Sequence, residues 1–293
     1  MTEVGPQAPN GAPAIPGAEC VRRAMQLVRH GLVVSLNLPL DIEPIAARPA
    51  MRRTVHMDHL LHELPDGSVA VINDDTVEFP LQGSTHWDSF AHFGVIGGRA
   101  PGVYLGGAGI RETSPRARAR TLGIDLLAAG IVARGVLLDM VSFLGHDDPG
   151  WLPGDTRIGR DDVERYLRER ELRLERGDIV LVYTGYEPRL RAAEGKHPNE
   201  VAGVDADTLE IWAAAGTFGL VADTVALEPA PARDLALHVG ALTEIGLYLG
   251  ELWALESLAI ACREHGVHEF LVMSAPLNIS GAYGSPANAL AVL

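Results

Sequence analysis

Four short apolar runs separated by helical patterns constrain this chain more than any other feature. They are Gly135-Val-Leu-Leu-Asp-Met, Gly177-Asp-Ile-Val-Leu-Val-Tyr-Thr-Gly185, Phe218-Gly-Leu-Val-Ala-Asp223 and Glu269-Phe-Leu-Val-Met. Runs of this length, bounded by glycine and rich in branched side chains, read as strands buried on both faces. Between them, Arg160 to Arg176 sets Val163, Tyr166 and Leu167 on one helical face, and Asp205 to Ala215 reads as a helix capped by Asp205 or Asp207. Leu252 to His265 reads as a helix closed by Gly266. Strands alternating with helices predict an α/β fold.

The first half is less regular. Residues 1–18, rich in Pro, Gly and Ala, read as a flexible extension, and 19–293 as one domain. A helix is expected from Ala18 to His30 with Gly31 as its cap, then a strand in Leu32-Val-Val-Ser-Leu-Asn-Leu. Pro39, Pro44 and Pro49 enforce an irregular stretch, and Val69-Ala-Val-Ile is a short strand after the turn Pro65-Asp-Gly67. Gly94 to Gly109 holds seven glycines without a GxGxxG opening a helix, so it reads as a close-packed loop and not a nucleotide cradle.

A 47% hydrophobic content over 293 residues is enough for a sizeable core. The net charge of −14 argues against nucleic-acid or anionic-membrane partners, which would be repelled, and leaves a small-molecule substrate as the expected partner. Neither a signal peptide nor a bilayer-spanning run is read, so a cytoplasmic protein is expected. Cys20 and Cys262 have no metal-ligand spacing; a disulfide between them stays an open alternative, but nothing demands an oxidising compartment.

The chemistry concentrates in Gln82-Gly-Ser-Thr-His86-Trp-Asp88-Ser-Phe-Ala-His92. In an extended strand Gln82, Ser84, His86 and Asp88 share one face, with Thr85 and Trp87 on the other. An imidazole and a carboxylate two residues apart can converge on one metal ion, and Gln82 could add an amide oxygen. His92, four residues beyond Asp88, is placed to exchange protons near neutral pH, with Phe79, Phe90 and Phe93 able to wall off solvent. The alternative for the same spacing is a surface His and Asp with His92 capping a loop.

The segment resembles the signature His-x-Gly-Thr-His-x-Asp-x-Pro-x-His of the metal-dependent cyclase and kynurenine formamidase family, with matches at Thr85, His86, Asp88 and His92. Further landmarks follow in order: Val136-Leu-Leu-Asp139, Gly177-Asp178, Thr184-Gly185, Asp223-Thr224, His238, Glu251, Ala275-Pro-Leu and Gly284-Ser-Pro286. The resemblance implies a swivelling β/β/α cyclase-like fold with a mixed sheet and small barrel-like core. It implies metal ligation by His86 and Asp88, with His238 and Glu251 completing a second position that Asp88 bridges. It also implies proton transfer by His92, zinc or manganese as the ion, and assembly as a homodimer or homotetramer. Gln82 stands where the family has its first histidine ligand, and Phe90 where it has proline; with Asp74-Asp75 these features resemble a longer bacterial branch. Amide or lactone hydrolysis is the leading expectation, with a cyclase or dehydratase, or a non-catalytic binder, as alternatives.

Other residues have plainer readings. His56, Asp58, His59 and His62 form a cluster in which a helix would set His59 and His62 one turn apart; a surface role is favoured over metal, with His56 a substrate-contact candidate. Trp87 and Phe90 are further substrate-contact candidates. Glu251, among apolar neighbours, needs a partner, either a metal or an arginine. His146-Asp147-Asp148 reads as a solvated turn, Gly281 to Pro286 as a turn or a ligand approach, and no Gly-x-Ser-x-Gly nucleophile elbow is present.

Overall fold

The computed structural model describes residues 13–43, 48–97, 103–107, 122–232 and 234–293. The helices are α1 (Ala18–Met25), α2 (Met140–Phe143), α3 (Arg160–Glu169), α4 (Tyr186–Ala192), α5 (Leu209–Ala215), α6 (Ala236–Val239) and α7 (Glu256–His265). The strands in the first half are β1 (Val33–Ser35), β2 (Arg52–Glu63), β3 (Val69–Glu78), β4 (His86–Asp88) and β5 (Ile131–Asp139). Then come β6 (Arg157–Ile158), β7 (Ile179–Tyr183), β8 (Gly203–Val204), β9 (Gly219–Ala222), β10 (Tyr248–Glu251), β11 (Glu269–Ser274), β12 (Gly284–Pro286) and β13 (Ala289–Val292).

The apolar runs take the middle of a nine-stranded mixed sheet of order β1-β13-β11-β5-β7-β9-β10-β4-β12, which curls into a half-barrel. β5, β7, β9 and β10 run parallel, and every residue of β7, β9 and β10 is buried. Burial on both faces is what a near-continuous hydrophobic strand requires. The mixed α/β class and barrel-like core expected from the sequence are therefore present. At Gly219 an added Cβ would lie 2.8 Å from the Trp87 ring, so only glycine lets that indole lie on β9.

Two landmarks of the sequence meet as a structural latch. The buried Asp223 carboxylate accepts from Thr184 N at 3.0 Å, Thr184 Oγ1 at 2.7 Å and the Gly185 and Tyr186 amides at 2.9 Å each. It thereby ties the end of β9 to the turn that starts α4.

Several elements end earlier than their patterns predict. α1 stops at Met25 because the chain must reach the sheet edge, where the His30 amide donates to the Leu293 carbonyl at 3.0 Å. α3 stops at Glu169, two residues before Glu171 turns left-handed at φ +54°. α7 starts at Glu256 because the Leu252 and Trp253 amides are bound to Thr224 and Ala222 carbonyls at the sheet. The largest difference is β2: the sequence predicts no regular element over residues 52–63, but the chain there forms the first strand of a long hairpin, whose second strand takes in the expected Val69-Ala-Val-Ile. The expected turn at Pro65-Asp-Gly67 connects its strands.

Residues 1–12 of the expected extension, Pro44, and Gly98, Gly102 and Gly109 of the glycine-rich stretch lie outside the described residues. Among the described residues no helix is long and apolar enough to cross a membrane. Cys20 and Cys262 are both free thiols.

Candidate metal centre

β4 lies between β10 and β12, and its antiparallel register sets His86 directly opposite Glu251. Directly opposed residues share a face, and so does Asp88, two positions along the strand. Thr85 fixes the approach: its hydroxyl donates to the Leu252 carbonyl and accepts from the Leu38 amide at 2.8 Å. α6 adds His238 from across the sheet end.

Four buried side chains converge there. His86 Nε2 stands 3.2 Å from Glu251 Oε2 and 3.5 Å from Asp88 Oδ1. His238 Nε2 stands 3.0 Å from Glu251 Oε1 and 4.0 Å from Asp88 Oδ2. The partner of Glu251 is therefore a pair of histidines, not an arginine. His86 donates through Nδ1 to the Ser84 carbonyl at 2.7 Å, which leaves Nε2 facing the cluster. His86 Nε2 and Asp88 Oδ2 are buried without a hydrogen-bond partner. An ion held by these nitrogen and oxygen donors would satisfy both orphans, and a set without thiolate fits zinc or manganese. Among the described residues, His86, Asp88 and Glu251 meet the spacing of a metal-ligand group. The four side chains lie together, with Asp88 facing both histidines.

Around the quartet stand three supporting groups. Glu228, buried on the far side of His238, accepts from the His238 amide at 2.6 Å, and the same carboxylate oxygen lies 3.3 Å from His238 Nδ1. Glu228 thus stands behind the ring, whose Nε2 faces Glu251. Gln82, expected as a ligand, instead uses its amide nitrogen: Nε2 donates to Asp88 Oδ1 at 2.7 Å and to His92 Nδ1 at 2.8 Å. Two acceptors on one atom identify it as the nitrogen. Gly284 makes this possible, because an added Cβ would lie 2.8 Å from the Gln82 side chain. His92 is the part-open member, with a side chain 27% exposed and Nε2 3.8 Å from Asp88 Oδ1.

The charges hold one another. Burial opposes charge on His86, but Asp88 and Glu251 outweigh it and raise its pKa to about 9. Burial likewise opposes charge on His238, and Glu228 and Glu251 raise it to about 10. Burial pushes the Asp88 carboxyl up, yet His92, His86 and His238 hold it well below the usual carboxylate range. The neighbouring carboxylates thus favour the protonated form of both histidines in the metal-free protein. Their folded pKa values lie above the unfolded value near 6.5, so they stabilise the metal-free fold at neutral pH, and this is lost as pH rises through 9 to 10. Metal uptake at pH 7 must expel these protons. Calorimetry in buffers of different ionisation enthalpy is expected to show release of about two protons per ion, with affinity falling on acidification. Uptake without proton release would contradict the assignment of both histidines.

The other expected site residues lie elsewhere. Trp87 is fully buried, meets Trp253 edge-on at 5.0 Å and donates to Ser274 Oγ at 3.0 Å. Phe90 is fully buried against Tyr248 at 4.3 Å. Trp87 is a core residue because the opposite face of β4 packs inward, and Phe90, beyond the end of β4, is covered by Tyr248. His56 lies on exposed β2, bonded to Thr76 Oγ1, and His59 Nδ1 pairs with Asp58 on the same arm. Ser84 turns its hydroxyl away, to the Pro39 carbonyl at 2.8 Å. Sequence reasoning missed Glu228; its available signal was an acid inside Val225-Ala-Leu-Glu-Pro, ten residues before His238. A cavity of about 660 Å³ lies on the Glu228 side, lined also by Asp155, Arg157 and Leu237, but the quartet and His92 do not line it.

A curled mixed sheet holding a buried His₂ and carboxylate centre beside a part-open histidine defines an enzyme of the hydrolase and cyclase class. The chain belongs to the putative cyclase family, whose model matches residues 30–229. A solved structure described as a novel cyclase is 31% identical, with 95% of this chain and 94% of that one covered and a TM-score of 0.79. Isatin hydrolase A from Labrenzia aggregata, bound to benzyl benzoate, is 16% identical over 92% of this chain and 94% of its own, at a TM-score of 0.63. A structure described as a predicted metal-dependent hydrolase from Bacillus stearothermophilus is 19% identical over 89% and 97%, at 0.55. Curated protein sequences return no match.

Proposed function

We propose that this chain is a metal-dependent hydrolase that opens an amide or lactone carbonyl of a small cyclic or aromatic molecule. The observation that carries the proposal is the convergence of His86, Asp88, His238 and Glu251 with two orphaned buried donor atoms, next to a histidine that solvent can reach. When bound, a divalent ion supplies Lewis-acid polarisation of a carbonyl and acidification of water.

The chain's own residues supply the rest. With Nδ1 accepting from Gln82, the neutral His92 ring carries its proton on Nε2, the nitrogen nearer Asp88. Holding a second proton, as imidazolium, it can donate to the oxygen or nitrogen that leaves as the carbon–heteroatom bond breaks, and the water that adds to the carbonyl carbon returns a proton to the ring. Asp88 and Glu251 provide the anionic floor, and Glu228 keeps His238 aimed at it. The description of fold relatives as isatin hydrolases supports a carbonyl substrate in a ring. The two free cysteines support a cytoplasmic place of action.

The test is a panel of cyclic amides and lactones turned over in heavy-oxygen water by protein loaded with zinc or manganese. The expected product is heavier by one water and carries the solvent oxygen, with activity lost on chelation and restored by the ion. A product equal in mass to the substrate, or lighter, would instead establish the cyclase or dehydratase reading that the family description favours.

A further inference from the structure

The chain ahead of β2 is laced along the motif that carries the metal ligands. Ser84 Oγ donates to the Pro39 carbonyl at 2.8 Å, the Leu38 amide donates to Thr85 Oγ1 at 2.8 Å, and Arg48 Nη1 donates to the Gln82 carbonyl at 2.5 Å. The third bond differs in kind, because it sets a guanidinium beside a centre built on carboxylates. Arg48 is half-buried, and of the five N–H groups a guanidinium carries only this one is bonded to a described residue. Nor does any carboxylate of the described residues form an ion pair with it. Elsewhere the half-buried Arg23, Arg134 and Arg160 each sit on a carboxylate, Glu175, Asp178 and Glu210 respectively.

Gln82 joins this guanidinium to the proton-transfer histidine, since its amide nitrogen donates to Asp88 and to His92 Nδ1. A glutamine spans at most about 7 Å from carbonyl oxygen to amide nitrogen, which puts Arg48 Nη1 within roughly 12 Å of His92 Nδ1. A single ring with a carboxylate, hydrogen-bonded at each end, fills a gap of that length. Arg48, Gln82 and His92 are all part-exposed, so a ligand reaching His92 from solvent also covers the guanidinium. A neutral ligand would bury that charge without a partner, which is costly. An anion would complete it, because the guanidinium fork matches a carboxylate. The fixed charges nearby are otherwise negative, from Asp88, Glu251 and Glu228, and the whole chain carries −14. An anionic ligand is therefore repelled unless a local cation receives it.

We propose that Arg48 is the anion-binding residue of this site, and that the ligand is a ring compound carrying a carboxylate docked on its guanidinium. Arg48 then determines specificity: it selects the charge of the ligand and fixes which end of the ring lies toward His92. It takes no part in proton transfer. That the other end of the ring presents a carbonyl to be opened rests on the hydrolase reading above, whereas the carboxylate contact rests on Arg48 itself.

Calorimetric titration of zinc-loaded protein with benzoate and with benzamide, its neutral isostere, tests this without turnover. The wild type is expected to bind benzoate about tenfold more tightly than benzamide. Arg48→Gln should erase that preference and Arg48→Lys should keep part of it. Neither variant should change metal content or the affinity for benzamide, both of which a mere tether to Gln82 would lower. Equal affinity of the wild type for the two probes, an Arg48→Gln variant that keeps the preference, or a parallel loss for benzamide would each overturn the proposal. Turnover separates it from the hydrolase reading. On cyclic amides and lactones that carry a carboxylate, Arg48→Gln should raise KM about tenfold and leave kcat near that of the wild type. A protein that prefers benzoate through Arg48 yet opens no ring would overturn the hydrolase reading alone. One that opens rings equally well with and without Arg48 would overturn the Arg48 assignment alone.

Discussion

Asp88→Ala is expected to strip the protein of its metal and of turnover together. Asp88 faces His86 at 3.5 Å, His92 at 3.8 Å, His238 at 4.0 Å and the Gln82 amide at 2.7 Å. Its removal takes away a ligand and the largest attraction that raises the His86 pKa, so the ring loses both the ion and its counter-charge. Metal-assisted chemistry contributes several kcal/mol to barrier lowering, so a loss of about 5 kcal/mol, or roughly 10³–10⁴ in rate, is expected. Elemental analysis with steady-state kinetics checks it. A variant that keeps a full metal complement would remove Asp88 from the centre.

His92→Ala should separate the two properties. His92 touches the quartet only through Asp88 and Gln82, so the variant is expected to bind metal as the wild type does. Turnover should fall by roughly 10²–10⁴, the usual worth of a positioned proton-transfer group. The fall should lie in kcat more than KM, flatten one limb of the pH profile and be partly rescued by added imidazole, a pattern that a merely structural histidine would not give. Gln82→Ala belongs with it: metal is retained and kcat falls, because the amide holds His92 and Asp88 and is not a ligand. Loss of metal from His92→Ala would sink this division of labour.

What could be read in advance follows a physical divide between local and distant contacts. His86 and Asp88 were legible because the period of a strand puts positions two apart on one face. The need of Glu251 for a partner was legible because its neighbours are apolar. His238 sits on a four-residue helix with no local pattern, so only the family resemblance could bring it in. Glu228 stands at the back of His238 from ten residues earlier in the chain, and spacing carries no signal for that.

The errors have reasons too. Trp87 and Phe90 looked like pocket walls because they flank the motif, but the sheet is covered on its other face by Trp253, Tyr248 and Phe218. β2 looked irregular because two register shifts, at Val55/Met57 and Met57/Leu60, break the alternation that would have marked a strand. The buried parallel strands were clear because their runs are uniformly apolar; helix ends were not, since sheet contacts distant in sequence decide where each helix stops.

The central claim is that His86, Asp88, His238 and Glu251 form one metal centre while Gln82 and His92 stand outside it. An anomalous difference map at the metal edge, from crystals of protein purified without chelator, tests it most directly. The account predicts a single peak per chain, enclosed by His86 Nε2, His238 Nε2 and the Asp88 and Glu251 carboxylates, with Gln82 still bridging Asp88 to His92. A peak ligated by Gln82 or His92, or a well-ordered centre that stays without a peak in metal-saturated crystals, would contradict it.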